Sequence, residues 1–344
     1  MARWRSYTPS ISSGAMCGLV LILASAACTS PPSSVATTAP SVGMPGTKDV
    51  ARHVALISFT ARDGRVIPAA VSTPVGKGPF PVVVTIHGGS GDRTADVLEG
   101  LASPGSDSPV VRMLNEQPWI IVAPDYRNDW LGAERLDVVD AIEAARTLPG
   151  ADRDRVAIVG GSNGGRLALM ASILSPRSSK CVIAGSPFMT DPLIFMNGEA
   201  GLAPFSQATP ASLSWMMQTR ARMDRPVERS ARRQGLTRDE LLRENVIRDH
   251  AGKIEARVLL LTSRADEQVP HIMLEGLISA LQQDERKGHQ ILIVEDSLHG
   301  FYWGRDGEFG ARAGRGPRTP RQQAEEDAVR EAMKQFLTAC LADP

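Results

Sequence analysis

The heptapeptide Val159-Gly160-Gly161-Ser162-Asn163-Gly164-Gly165 decides how this chain is read. An apolar, β-branched run, Arg155–Val159, leads into it, and a helical pattern beginning near Arg166 leads out. A serine between a strand and a helix, with glycine two residues away on each side, occupies a tight, strained turn that lifts its hydroxyl clear of the sheet. Glycine at 160 and 164 allows strand and helix to approach closely enough for that turn. The helix N-terminus behind the serine supplies a backbone N–H, that of Asn163, to a developing oxyanion. The competing reading is a glycine-rich turn without chemistry.

A serine hydroxyl is a weak nucleophile unless a base takes its proton, and the base needs a carboxylate to orient it. With the serine on such a turn, the acid and then the histidine are expected after later strands, in that chain order. Leu259-Leu260-Leu261-Thr262 runs into Ser263-Arg264-Ala265-Asp266-Glu267, which makes Asp266 the candidate acid and Glu267 the alternative. Ile291-Leu292-Ile293-Val294 runs into Glu295-Asp296-Ser297-Leu298-His299-Gly300-Phe301, so His299 is the candidate base, against the reading of a surface-loop imidazole. His53 and His289 border strands, and His250 and His271 fall in or beside helical stretches; these read as structural or exposed side chains. His87-Gly88-Gly89-Ser90-Gly91 follows the run Pro81–Ile86, the position from which a second oxyanion N–H is supplied. Gly89 is the first choice for it and Gly88 the second, with His87 orienting the loop; a merely flexible glycine turn is the alternative.

Beyond the motif, compact apolar runs alternate with longer amphipathic ones. Trp119–Ala123, Cys181–Gly185, Arg257–Thr262 and Gln290–Val294 join the two runs already quoted. Near-continuous apolar strands are expected where helices cover both faces of a parallel sheet. Two earlier runs, His53 to Thr60 and Arg65 to Thr73, flank Asp63-Gly64 and predict an antiparallel hairpin. Helices are expected over Glu134–Leu148, with Leu136, Val139, Ile142 and Ala145 inward and Asp137, Asp140 and Glu143 elsewhere on the turn. Others are expected over Leu167–Leu174, Ile272–Gln282 and Gln322–Leu341, the last opening on Glu325-Glu326-Asp327. The fold class is α/β, with a mostly parallel central sheet, an N-terminal antiparallel hairpin and helices on both faces. Between Gly185 and Arg257 no core strand is evident. That stretch, rich in Met and aromatic residues (Met189, Phe195, Met196, Phe205, Trp215, Met216, Met217), reads as a helical cap insertion at about 187–250 or as helices packed on the sheet edge. Its apolar side chains line an acyl pocket or simply pack the cap.

The ends and the composition narrow the class. The chain has 344 residues, 42% hydrophobic and 22% charged, an ordinary globular composition. With 38 Lys plus Arg against 38 Asp plus Glu, nothing electrostatic argues for a nucleic-acid partner. Arg3 and Arg5, an apolar run from Ala15 to Ala27 and small residues before Cys28 describe an export signal over 1–27. The run is short for a membrane span. Residues 28–50 form a Ser/Thr/Pro/Ala-rich tether, and residues 51–344 the folded domain. Of four cysteines, Cys17 leaves with the signal, while Cys181 and Cys340 can form a disulfide in an oxidising compartment. Two separately buried thiols are the reading preferred here. No Cys-x-x-Cys motif or histidine cluster implies a metal, and no cofactor is implied. Arg305, Arg312, Arg315, Arg318 and Arg321 read as a solvated basic loop rather than a site for acidic groups.

As a set, these pieces resemble the branch of the α/β-hydrolase superfamily that contains dienelactone-hydrolase-like enzymes and the catalytic domains of prolyl oligopeptidases. The resemblance spans most of residues 51–344. It rests on the Asp63-Gly64 hairpin, His87-Gly88-Gly89, Pro124-Asp125-Tyr126-Arg127, Asp137, Gly160-Gly161-Ser162-Asn163-Gly164-Gly165, Asp266 with Val269-Pro270, and His299-Gly300-Phe301. It implies an acyl-transfer hydrolase with a Ser162–Asp266–His299 triad. Dienelactone hydrolases carry cysteine where Ser162 stands, and prolyl oligopeptidases carry a propeller for which no stretch remains here. A carboxylic ester is therefore the first expectation for substrate, a short peptide the second, and non-catalytic ligand binding on the same scaffold the third. Ala26-Ala27-Cys28 likewise resembles a bacterial lipoprotein box, with Ser25 where Leu is usual. It implies export and lipidation of Cys28, hence a membrane anchor; otherwise the chain would be periplasmic or secreted. Oligomeric state is left open.

Overall fold

The computed structural model describes residues 5–6, 50–197, 210–304 and 317–342. The signal over 1–27, Cys28 and its tether lie outside these residues apart from Arg5, Ser6 and Val50, as do Phe205 and the arginines at 305, 312 and 315. Eight main strands form one sheet: β1 (Arg52–Thr60), β2 (Val66–Pro74), β3 (Phe80–Ile86), β4 (Ile120–Pro124), β5 (Ala151–Gly161), β6 (Cys181–Gly185), β7 (Arg257–Ser263) and β8 (Gln290–Val294). Their order is β1-β2-β4-β3-β5-β6-β7-β8. β1 and β2 pair antiparallel, as do β2 and β4, and every later pairing is parallel. Arg5–Ser6 adds a two-residue antiparallel pairing outside β1. The hairpin turns where its sequence demands, with Gly64 at φ 87°.

Side chains along the parallel strands alternate between two cores. Val82, Val84, Ile120, Val122, Val182, Ala184, Val258 and Leu260 face one, and Val83, Ile121, Ile183, Leu259 and Leu261 face the other. The period of two, with both faces covered, is why these strands read as continuous apolar runs. The second core is closed by α1 (Ala95–Ala102), α2 (Pro109–Asn115) and the long last helix α10 (Pro320–Leu341). The first is closed by α3 (Glu134–Ala145), α4 (Asn163–Leu174), α9 (Glu275–Gln282) and the insertion. The insertion contains α5 (Pro192–Met196), α6 (Pro210–Gln234), α7 (Arg238–Glu244) and α8 (Ile247–His250).

Several expectations need correction. Asp137 is fully buried rather than on an outer face, because Arg127 clamps it through Nη2 and Nε at 2.6 and 2.8 Å, whereas Leu136 is only half-buried. The hydrogen bonds to Asp137 and Asp63 push the Arg127 guanidinium pKa upward. α4 starts at Asn163, three residues before the expected Arg166, and α10 starts at Pro320 behind a Thr319–Gln322 capping box rather than on its acidic triplet. Cys181 and Cys340 are joined, with Cα atoms 6.4 Å apart, instead of lying as separate thiols. Arg318 is not a solvated bystander, since it is largely buried and pairs with Glu326 at 2.6 Å, whereas Arg321 stays exposed as expected and pairs with Asp296 at 2.9 Å on the surface.

Candidate active site

The turn from β5 to α4 bends as its glycines require. Ser162 has φ 55° and ψ −123°, a left-handed value that costs a non-glycine residue strain and is held only where the surroundings enforce it. Three backbone bonds enforce it. The Ser162 N–H donates to Gly185 O at 2.8 Å, and its carbonyl accepts from Arg166 N at 3.1 Å and Phe188 N at 3.0 Å. A Cβ on Gly160 would lie 2.2 Å from the Gly164 oxygen, and one on Gly164 would lie 2.3 Å from the oxygens of both Ile86 and His87. Strand and helix are in backbone contact at these two positions, so no side chain fits. The serine itself is half-buried.

Asp266 and His299 come from the loops after β7 and β8 and are both buried. The imidazole Nδ1 lies 2.9 and 3.0 Å from the two carboxylate oxygens. Asp266 also accepts the backbone N–H groups of Gln268 and Val269 at 2.9 and 2.8 Å, which fixes its orientation. Glu267, the alternative acid, accepts the backbone N–H of His299 at 3.2 Å. The loop leading to His299 is tied down from α10, where Glu325 accepts N–H groups of Glu295 and Asp296 at 3.1 Å and the Ser297 hydroxyl at 2.7 Å. Burial raises the Glu325 pKa, but the Ser297 hydroxyl and these N–H groups outweigh it and hold the carboxyl below its usual range.

At the glycine loop, a Cβ on Gly88 would lie 3.2 Å from Ser162 Cβ, so this backbone is laid directly against the serine. Gly89 has φ 73°, and its carbonyl accepts from Asn163 Nδ2 at 2.8 Å. The Tyr126 hydroxyl lies 3.0 Å from the carbonyls of His87 and Gly89. Burial, then the charge of Glu134, push the Tyr126 pKa well up, so it is a neutral donor. His87 stacks on Tyr126 at 4.2 Å, and its Nε2 lies 2.9 Å from Asp125. Asn163 is in turn held by Arg166 Nε at 2.9 Å, and Arg166 makes a short contact to Glu134, both fully buried. One polar chain thus runs from α3 through α4 to the glycine loop.

Two further features border the serine. Phe188, whose N–H reaches Ser162, meets Trp130, Phe195 and Trp215 edge-to-face at 5.2 to 6.3 Å, so α5 and α6 of the insertion contribute to an aromatic cluster there. Tyr302 stands with its hydroxyl 3.1 Å from His299 Nε2. Sequence reasoning missed Tyr302, Arg166, Glu134 and Glu325 as site residues, and named Tyr126 only within the Pro124–Arg127 run, with no role for its hydroxyl. Tyr302 carried one signal, its place three residues after the candidate base; the rest touch the site only through tertiary contacts. Among the described residues no group of three or more His, Cys, Asp or Glu is placed to hold a metal, and no helix is long and apolar enough to cross a membrane.

Solved structures share this fold at low identity. A puromycin hydrolase matches with TM-score 0.57 and 19% identity over 88% of this chain and 41% of its own. The chain therefore spans about two fifths of that protein's length. An acetyl xylan esterase from Paenibacillus sp. R4 matches with TM-score 0.52 and 18% identity over 88% of each chain. A putative dienelactone hydrolase from Klebsiella pneumoniae matches with TM-score 0.51 and 15% identity over 85% of this chain and 99% of its own. No curated protein matches the sequence. The model of the prolyl oligopeptidase family matches residues 124–311. That span is more than half of the chain and runs from the end of β4 through the Ser162 turn, Asp266 and His299. The chain belongs to the prolyl oligopeptidase family.

Proposed function

We propose that the chain is a serine hydrolase that cleaves carboxylic esters through an acyl-enzyme. Ser162 attacks the carbonyl carbon, its proton passes to His299, and Asp266 stabilises the imidazolium. The Asn163 N–H and the Gly88–Gly89 backbone hold the oxyanion; water then attacks the acyl-enzyme with His299 again as base. The observation that carries this reading is the coincidence of a strained, non-glycine Ser162 at a strand-to-helix turn with a buried Asp266–His299 pair from two later loops. The aromatic cluster at Phe188 supports an apolar acyl group. Family membership supports a second reading, a short-substrate peptidase. Disulfide-bonded Cys181 and Cys340 support export, and we place a lipid anchor at Cys28, whose replacement by alanine should move the protein out of the membrane fraction.

Fluorophosphonate labelling of the full chain beside Ser162→Ala and His299→Ala tests the reading. Labelling by wild type alone is the expected result. A folded wild type that never labels would sink it and favour non-catalytic ligand binding. A matched p-nitrophenyl ester and p-nitroanilide of one acyl group then separate esterase from peptidase, with faster ester turnover expected.

A further inference from the structure

The glycine loop beside Ser162 is held from behind. The carbonyl oxygen of Gly88 meets two side chains, Arg93 Nη2 donating at 3.2 Å and His87 Nδ1 at 3.0 Å. One buried carboxylate sets both. Asp125 lies 2.9 Å from His87 Nε2 through one oxygen and accepts the Arg93 backbone N–H at 2.9 Å through the other. The next carbonyl, that of Gly89, is fastened by Asn163 Nδ2 at 2.8 Å and the Tyr126 hydroxyl at 3.0 Å. With the carbonyls before and after it tied, Gly89 keeps an N–H that has no partner among the described residues.

Arg93 is fitted closely to this loop. Its side chain folds back so far that a Cβ on Gly89 would lie 2.3 Å from Nη2. Glycine at 89 is therefore required twice, by the guanidinium and by φ 73°. Among the described residues no carboxylate pairs with this guanidinium, and its Nε is buried without a hydrogen-bond partner. A buried donor left unpaired lowers stability, so packing alone is a poor reason for arginine here.

The peptide between Gly88 and Gly89 transmits the charge. In a planar trans peptide the C=O and N–H point in opposite directions, so donors gathered at Gly88 O turn the Gly89 N–H away from themselves. A hydrogen bond from a charged group is stronger than a neutral one and draws electron density toward the carbonyl oxygen. The N–H at the other end of that peptide becomes a better donor.

We infer that Arg93 is a positioning residue for the oxyanion: it locks the Gly88–Gly89 peptide with the Gly89 N–H turned toward the reacting carbonyl, and it polarises that N–H. This rests on the serine-hydrolase reading above. Arg93 touches no reacting atom and moves no proton. Its charge acts through one peptide, when the substrate carbonyl oxygen becomes negative.

The test compares wild type, Arg93→Met, Arg93→Gln, Arg93→Lys and Ser162→Ala as full chains, on p-nitrophenyl acetate and on the thionoester with sulfur in place of the carbonyl oxygen. Sulfur accepts hydrogen bonds weakly, so the preference for the oxygen ester reports what the oxyanion donors supply. Arg93→Met should lower kcat for the oxygen ester about 10–10²-fold, short of the loss of a whole donor, with KM little changed. The oxygen-over-sulfur preference should shrink by a similar factor, whereas a loop that had merely loosened would slow both esters alike. Arg93→Gln, also neutral, gives the same comparison if Arg93→Met does not fold. Arg93→Lys, which keeps the charge without the planar fork, should recover part of both effects. A folded neutral variant with kcat within about threefold of wild type would overturn the inference. So would equal losses on the two esters with the preference unchanged. In both cases fluorophosphonate labelling of wild type, absent in Ser162→Ala, leaves the nucleophile standing. A wild type that neither labels nor turns over removes both readings together.

Discussion

Arg166→Met should destabilise the protein in a way that grows with pH. Arg166 is fully buried in the first turn of α4, where it pairs with the equally buried Glu134 and donates Nε to Asn163. Among the described residues Glu134 otherwise accepts only the Leu131 N–H, at 3.0 Å, and its second oxygen has no hydrogen-bond partner. Burial pushes the Glu134 carboxyl from 4.5 up to about 7, with the Arg166 charge pulling against it. A carboxyl whose folded pKa is raised contributes stability that is present below its unfolded pKa and is lost as pH rises through the folded one. In wild type that loss is complete near pH 7. Without the guanidinium the upward push is less opposed, so the variant goes on losing up to about 1.4 kcal/mol per pH unit. The gap between the two should widen by about 1–3 kcal/mol from pH 7 to 9, towards the ~3–5 kcal/mol typical of breaking a buried pair. Urea unfolding followed by circular dichroism at four pH values measures it, and Arg166→Met with Glu134→Gln should abolish the widening. A constant gap from pH 6 to 9, or a double variant that keeps the slope, would refute the reasoning.

Three other outcomes follow from the same contacts. Gly164→Ala places a methyl group 2.3 Å from two backbone oxygens and should cost about 1–3 kcal/mol and most fluorophosphonate labelling; wild-type labelling would contradict the packing argument. Glu325→Gln keeps the shape but leaves a single acceptor oxygen for the loop before His299, so kcat should fall about 10–10²-fold with little change in Tm, as read by ester kinetics beside a thermal melt. His289 Nδ1 accepts the Val258 N–H at 3.1 Å, and burial lowers its pKa below 6.5. The unfolded chain then binds the proton first, and stability falls as pH drops below 6.5; His289→Asn, which keeps an acceptor, should flatten that fall in urea melts at pH 5 to 7.

How much of this was legible depended on whether the signal was local. β3, β4, β6, β7 and β8 read from their apolar runs because helices cover both sheet faces, and the Ser162 turn read from two glycines at fixed offsets. α1 and α2 were missed, since each is at most eight residues and Ser103-Pro104-Gly105 breaks the stretch between them. α4 was started late because Gly164 and Gly165 read as loop; backbone contact with β3 overrides their poor helix propensity. In α3 the expected inward residues Val139, Ile142 and Ala145 are buried. Glu134 and Asp137 were not read as buried because they are charged, yet each meets an arginine 32 or 10 residues away. Tyr302 needs both the 3-10 turn Phe301–Trp303 and the space left by glycine at 161 and 185, and that combination exists only after folding.

The Cys181–Cys340 bond has a consequence for how the chain behaves when cut. Sulfur closes a ring of sequence that holds Asp266, His299 and Tyr302, with Ser162 outside it but on the strand turn beside Cys181's own strand. A single protease nick anywhere within that ring would produce two fragments that migrate as one species until a reductant is added. The nicked protein would keep its imidazole covalently moored to the strand neighbouring the serine, and residual ester turnover that disappears on reduction would report the mooring directly.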